Sequence, residues 1–66
     1  MNTNEMQFSI KELRARMNET QEQVANAVGV SKQTYCSWER NISNVSVRKV
    51  RALAEHFDVT LNQIRF

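Results

Sequence analysis

Lys32, Gln33, Ser37 and Arg40 alternate with Tyr35, Trp38 and Ile42 at three- and four-residue spacing. On a helix this puts the first set, with Cys36, on one face and the aromatic and aliphatic set on the other. Lysine matches guanine O6 and N7, glutamine matches adenine N6 and N7, and serine can meet either. The polar face therefore predicts contact with base edges through Lys32, Gln33 and Ser37, with Cys36 grazing them. Catalytic chemistry finds no comparable set. His56 is the only histidine, Cys36 the only cysteine and Gly29 the only glycine. His56 stands beside Phe57 with no serine or cysteine nucleophile next to it, and a core-edge position is expected. Cys36 has only Lys32 nearby to favour a thiolate, so an ordinary reduced thiol is expected. One glycine makes no phosphate loop, and no Cys/His set has metal-ligand spacing. No catalytic residue, metal or cofactor is expected, and the chain does not read as an enzyme.

The elements that must hold this face are two short helices on either side of Gly29. Val24, Ala25, Val28, Val30, Tyr35 and Trp38 form their inner sides, with the small Ala25 where the backbones approach. That is a helix-turn-helix pattern, whose second helix can lie in a DNA major groove. Capping signals mark the starts. Ser9 with Glu12 opens a first helix running to about Met17, with Ile10, Leu13, Arg14 and Met17 on one face. Thr20 with Gln23 opens the second, Ser31 the third and Ser46 the fourth. Gly29 is expected to stop the second helix and Asn41, in a left-handed conformation, the third. Val47, Val50, Leu53, Ala54 and Phe57 make the apolar face of the fourth helix. Thr60 with Gln63 predicts a short fifth. The sum is an all-α domain over residues 1–66, with residues 1–7 as a flexible N-terminal arm.

A chain of 66 residues buries only about 60% of its unfolded surface. Its core supplies roughly 3–5 kcal/mol, and one cysteine closes no internal disulfide, so dimerisation is expected to add stability. Leu61, Ile64 and Phe66 are the expected contact, because so short a terminal helix cannot bury all three. The net charge of +2 and pI of about 9.1 argue mildly for a polyanionic partner. Glu5, Glu12, Glu19 and Glu22 lie early, whereas Lys32, Arg40, Arg48, Lys49 and Arg51 cluster later. No apolar run reaches the ~18–20 residues that cross a bilayer. The N-terminus does not read as a signal peptide. A cytoplasmic protein with no membrane partner is expected.

Leu13-Arg14, Thr20-Gln21-Glu22-Gln23-Val24-Ala25, Gly29-Val30-Ser31, Thr34-Tyr35, Trp38-Glu39-Arg40, Leu53-Ala54 and Val59-Thr60-Leu61 occur in that order. In this order the chain resembles the phage repressor and Cro-like helix-turn-helix domains, also called the xenobiotic-response-element type, from Ile10 to Ile64. The resemblance implies a five-helix bundle of the lambda-repressor-like kind. It also implies a homodimeric, sequence-specific regulator binding double-stranded DNA at a pseudo-palindromic operator. Lys32, Gln33 and Ser37, with Cys36, take the family's base-contacting positions. Gln21 and Thr34 resemble its phosphate contacts. Arg40, Asn41 and Ser43 resemble a second backbone clamp, flanked by Asn44 and Arg48. Arg14 and Glu39 resemble its internal salt bridge. The chain departs at Asn41 and Asp58, where glycine is usual, at Val45, where proline is common, and at Glu19, where an apolar residue is expected. Glu19 puts negative charge near the DNA-facing start of the second helix. The alternative reading is a protein-interaction module, such as an antitoxin or anti-repressor holding a partner protein.

Overall fold

Each helix begins where a short polar side chain satisfies N–H groups that no helical carbonyl reaches. The computed structural model of the chain describes residues 6–66, apart from the Asn44 side chain. The first five residues of the expected arm lie outside that range. Four α-helices follow in order: α1 (Ile10–Arg16), α2 (Gln21–Ala27), α3 (Lys32–Arg40) and α4 (Val47–Phe57). Ser9 Oγ accepts from the Glu12 N–H at 3.1 Å, and Glu12 Oε1 accepts from the Ser9 N–H at 2.7 Å. Thr20 and Gln23 exchange the same pair of bonds at 3.1 and 2.7 Å. Ser31 and Ser46 cap α3 and α4 from single hydroxyls. Gly29, at φ 78°, ends α2, and the Val30 N–H returns to the Ala25 carbonyl at 2.9 Å. This turn sets α2 directly against α3.

The core is one cluster drawn from all four helices. Ile10 and Leu13 meet Val24, Ala25 and Val28 of the second helical segment, then Tyr35 and Trp38 from α3. Val50, Leu53, Ala54 and Phe57 close it from α4. Lys49, expected in the basic surface, sends its Nζ to the Val28 carbonyl at 3.0 Å. There it satisfies an acceptor at the carboxyl end of α2, where positive charge is favoured.

Several expectations fail, each for a physical reason. The fifth helix is a single 3-10 turn, Leu61–Gln63. The Thr60 N–H is held by Gln63 Oε1 at 3.0 Å, so the capping signal is used. The chain then pairs with the N-terminal segment instead of continuing. The Phe8 N–H reaches the Gln63 carbonyl and the Arg65 N–H reaches the Phe8 carbonyl, both at 2.8 Å. These bonds make a parallel bridge between Phe8 and Ile64 in a chain without a strand signal, and they consume the groups that helix propagation needs. Gln7, expected in a flexible arm, is held by the same seam: its carbonyl accepts from Arg65 Nη2 at 2.9 Å. Asn41 is not left-handed but extended, at φ −154° and ψ 97°. Its Oδ1 accepts from the Ser43 N–H at 3.1 Å, a local bond that turns the chain without positive φ. The 3-10 turn Ile42–Asn44 follows. Left-handed conformations fall instead on Asn18 and Asp58, at φ 58° and 59°.

Two apolar residues change sides. Val47 is 69% exposed, because the apolar face of α4 runs past the last element able to cover it. Ile64 is wholly buried, so it is a core residue rather than a subunit contact. Among the described residues, no helix is long and apolar enough to cross a membrane. Ile64→Ala should therefore cost about 2–5 kcal/mol of folding stability. Urea unfolding should show the same loss at every protein concentration, since the deleted contacts are internal. A loss that grows on dilution would return Ile64 to an interface.

Candidate nucleic-acid interface

Burying Tyr35 and Trp38 turns the opposite side of α3 to solvent. Lys32, Gln33, Thr34, Ser37 and Arg40 are exposed, and Cys36 is half-buried. The expected base-contacting residues thus share one open strip, with Cys36 at its edge. Internal hydrogen bonds decide what two of the hydroxyls have left to offer. Ser37 donates to the Thr34 carbonyl at 2.6 Å, leaving its lone pairs for an incoming donor. Thr34 Oγ1 accepts from Ser31 Oγ at 3.0 Å, leaving the Thr34 proton for an acceptor such as phosphate.

Beside this strip a cleft of about 610 Å³ opens between α1, α2 and α3, lined by Lys11, Arg14, Gln21, Glu22, Lys32 and Glu39. Gln21, half-buried, lines it and donates from Nε2 to Glu39 Oε1 at 3.0 Å. Arg14 and Glu39 meet as a bidentate pair, Nε to Oε2 at 2.6 Å and Nη2 to Oε1 at 3.3 Å. Their side chains are only 17% and 6% exposed. Glu19, whose charge stood out in the sequence, also lines this cleft, with its Oε1 at 2.7 Å from His56 Nε2 on α4.

Past α3 the expected second clamp comes together on one shallow depression, shared by Arg40, Asn41 and Ser43. All three are exposed, but Ser43 Oγ donates to Asn41 Oδ1 at 2.6 Å, so the amide nitrogen of Asn41 is its remaining donor. Two cations were not anticipated here. Lys11 lines the α1–α2–α3 cleft, and Arg65 borders the second depression. Lys11 reads in sequence as one more solvated position on α1. Arg65 arrives only through the Phe8–Ile64 bridge, which leaves no local signal.

The electrostatics centre on Glu39. Burial pushes its pKa up, but hydrogen bonds from Arg14 and Gln21 with the Arg14 charge outweigh this and hold it below its ordinary 4.5. The Tyr35 hydroxyl is raised by burial and by the neighbouring Glu39 charge. Glu12 is also held low, chiefly by the Ser9 N–H. A depressed carboxyl stabilises the fold above its unfolded pKa, and that contribution is lost as pH falls through the folded one. Chemical denaturation should therefore show stability declining once pH drops below about 4.5. Replacing the pair together, Arg14→Met with Glu39→Met, should flatten that decline, leaving the smaller Glu12 part. An unchanged acid limb would remove Glu39 as its source.

Comparison with known proteins places this geometry. The chain matches the helix-turn-helix family over residues 10–64. It is 33% identical over 55 residues to the cryptic phage CTXphi transcriptional repressor RstR of Vibrio cholerae, covering 83% of this chain and 50% of the repressor. It thus spans about half the length of that relative. It is 36% identical over 59 residues to an uncharacterized HTH-type transcriptional regulator of Archaeoglobus fulgidus, covering 89% of this chain and 83% of that one. No solved structure matches the chain. With the paired helices α2 and α3, the Gly29 turn and the match over nearly its whole length, the chain belongs to the helix-turn-helix family.

Proposed function

We propose that this helix-turn-helix protein is a sequence-specific regulator that binds double-stranded DNA as a homodimer and represses by occupying a promoter. The observation that carries the reading is the uncovered strip of α3, with Lys32, Gln33 and Ser37 exposed above a buried Tyr35 and Trp38. With α3 in the major groove, Lys32 suits guanine and Gln33 suits adenine. Ser37, its proton already used, suits the amino group of adenine or cytosine. Gln21 and Thr34 meet phosphates on one side, and Arg40, Asn41 and Ser43 on the other, fixing register rather than sequence. The phage repressor among its relatives supports repression as the outcome.

The second copy docks on the apolar end of the domain. Val45, Val47, Val50, Leu61 and Phe66 line a groove of about 270 Å³, and Val47 and Phe66 are 69% and 68% exposed. Leu61 and Phe66 remain in the interface, Val47 joins it, and Ile64 leaves it. Two-fold symmetry then spaces the half-sites roughly 34 Å apart, one turn of B-DNA.

Selection of binding sites from random duplex DNA at fixed salt tests the reading directly and should return a pseudo-palindrome. Lys32→Ala, Gln33→Ala and Ser37→Ala should each shift the preferred sequence, costing about 1–3 kcal/mol at the base concerned. Unchanged preference in all three would remove α3 as the reader. Affinity should fall steeply as salt rises. Salt-insensitive association with a protein, and none with DNA, would favour the interaction-module reading. Val47→Ser with Phe66→Ser should leave a folded monomer in sedimentation equilibrium, and a persisting dimer would refute this interface.

A further inference from the structure

The Gln21 side chain is not free to search for a phosphate. Its amide is already fixed inside the protein by Glu39, which is at the opposite end of the helix-turn-helix in sequence. Glu39 Oε2 faces Arg14 Nε at 2.6 Å, whereas Oε1 receives both Arg14 Nη2 at 3.3 Å and Gln21 Nε2 at 3.0 Å. Arg14 Nη1 also reaches the Glu19 carbonyl at 3.1 Å, in the turn that leads into α2. One carboxylate on α3 therefore sets a guanidinium from α1 and an amide from α2 in a single arrangement, with Glu39 itself 6% exposed.

We propose that Glu39 is a positioning residue for DNA binding: its carboxylate orients the Gln21 amide so that one N–H is spent on Glu39 and the other is presented to a backbone phosphate. This rests on the reading of Gln21 as a phosphate contact. A glutamine ordered before DNA arrives has already given up its rotamer freedom, so the contact costs less to form. A carboxylate beside a phosphate path would ordinarily repel. Here the Arg14 charge cancels it, and the charge-assisted bond to the amide stays. The device thus uses a negative side chain to aim a neutral donor, without adding net charge to the surface.

The test compares four proteins: the unsubstituted chain, Gln21→Ala, Arg14→Met with Glu39→Met, and all three substitutions together. Replacing both charges with methionine avoids leaving one buried and unpaired, and it leaves the net charge unchanged. Affinity is measured on a short duplex of random sequence at fixed low salt, per folded molecule. The methionine pair should weaken binding about fivefold when Gln21 is present and less than twofold when it is Ala. Equal losses in both backgrounds would overturn the positioning role while leaving Gln21 a phosphate contact. No loss from Gln21→Ala, with binding intact, would overturn that contact and this proposal together. Absence of any binding would sink the DNA reading itself. Should the methionine pair fail to fold, the unsubstituted protein still decides. One Gln21 Nε2 proton, bonded to Glu39, should resonate away from the position of the same proton in solvent-exposed glutamines, and the other should move on addition of the duplex. Both protons at the positions of solvent-exposed glutamines would overturn the assignment.

Discussion

Rotation of a nine-residue helix about its own axis is the constraint on which the surface of this protein depends. Tyr35 is wholly buried and Trp38 nearly so, their rings edge to face with centroids 6.2 Å apart. Helical geometry then leaves Lys32, Gln33, Ser37 and Arg40 no place but the solvent side. Turning α3 by one residue would expose an aromatic worth roughly 1.5–3 kcal/mol of burial and push a charged lysine toward the core. The candidate reading face is thus secured by hydrophobic burial on the opposite side, not by interactions of its own.

The same helix also sends Glu39 inward, and that choice is made on different physical grounds. A buried ion pair adds little net stability against an apolar replacement, but removing one partner costs about 3–5 kcal/mol. What Arg14, Gln21 and Glu39 supply is geometry: three helices that share few backbone bonds are registered to each other through one carboxylate. Lys49 plays a smaller version of this part, joining α4 to the end of α2 through the Val28 carbonyl. A domain of this size, with one cysteine, relies on such polar ties to select one arrangement of its helices.

The seam between the chain ends matters for the same reason. Phe8 exchanges backbone bonds with Gln63 and Arg65, more than fifty positions away, and Ile64 between them fills the core. Leu61 and Phe66 are left outside with Val47, so the apolar groove proposed for the second copy is defined by what the seam could not cover. Arg65 is brought beside Arg40 and Asn41 by the same two bonds.

Local chemistry was enough to specify much of this from the amino-acid order alone. The starts of α1 to α4 follow from hydroxyls three residues ahead of their N–H partners, the end of α2 from Gly29, and the exposed strip of α3 from helical spacing. These depend on neighbours within one turn, which is why they were legible. The fate of Asn41, the loss of the fifth helix, the burial of Ile64 and the exposure of Val47 were not. In each case the deciding group was a competing acceptor, a distant strand-like partner or the edge of the packed bundle. The hold of Glu39 on Gln21 likewise required α2 and α3 to be folded together, because two residues at opposite ends of a twenty-residue motif become neighbours only when its turn closes. Spacing chose which side chains point out; tertiary packing chose which of them are already bound to each other.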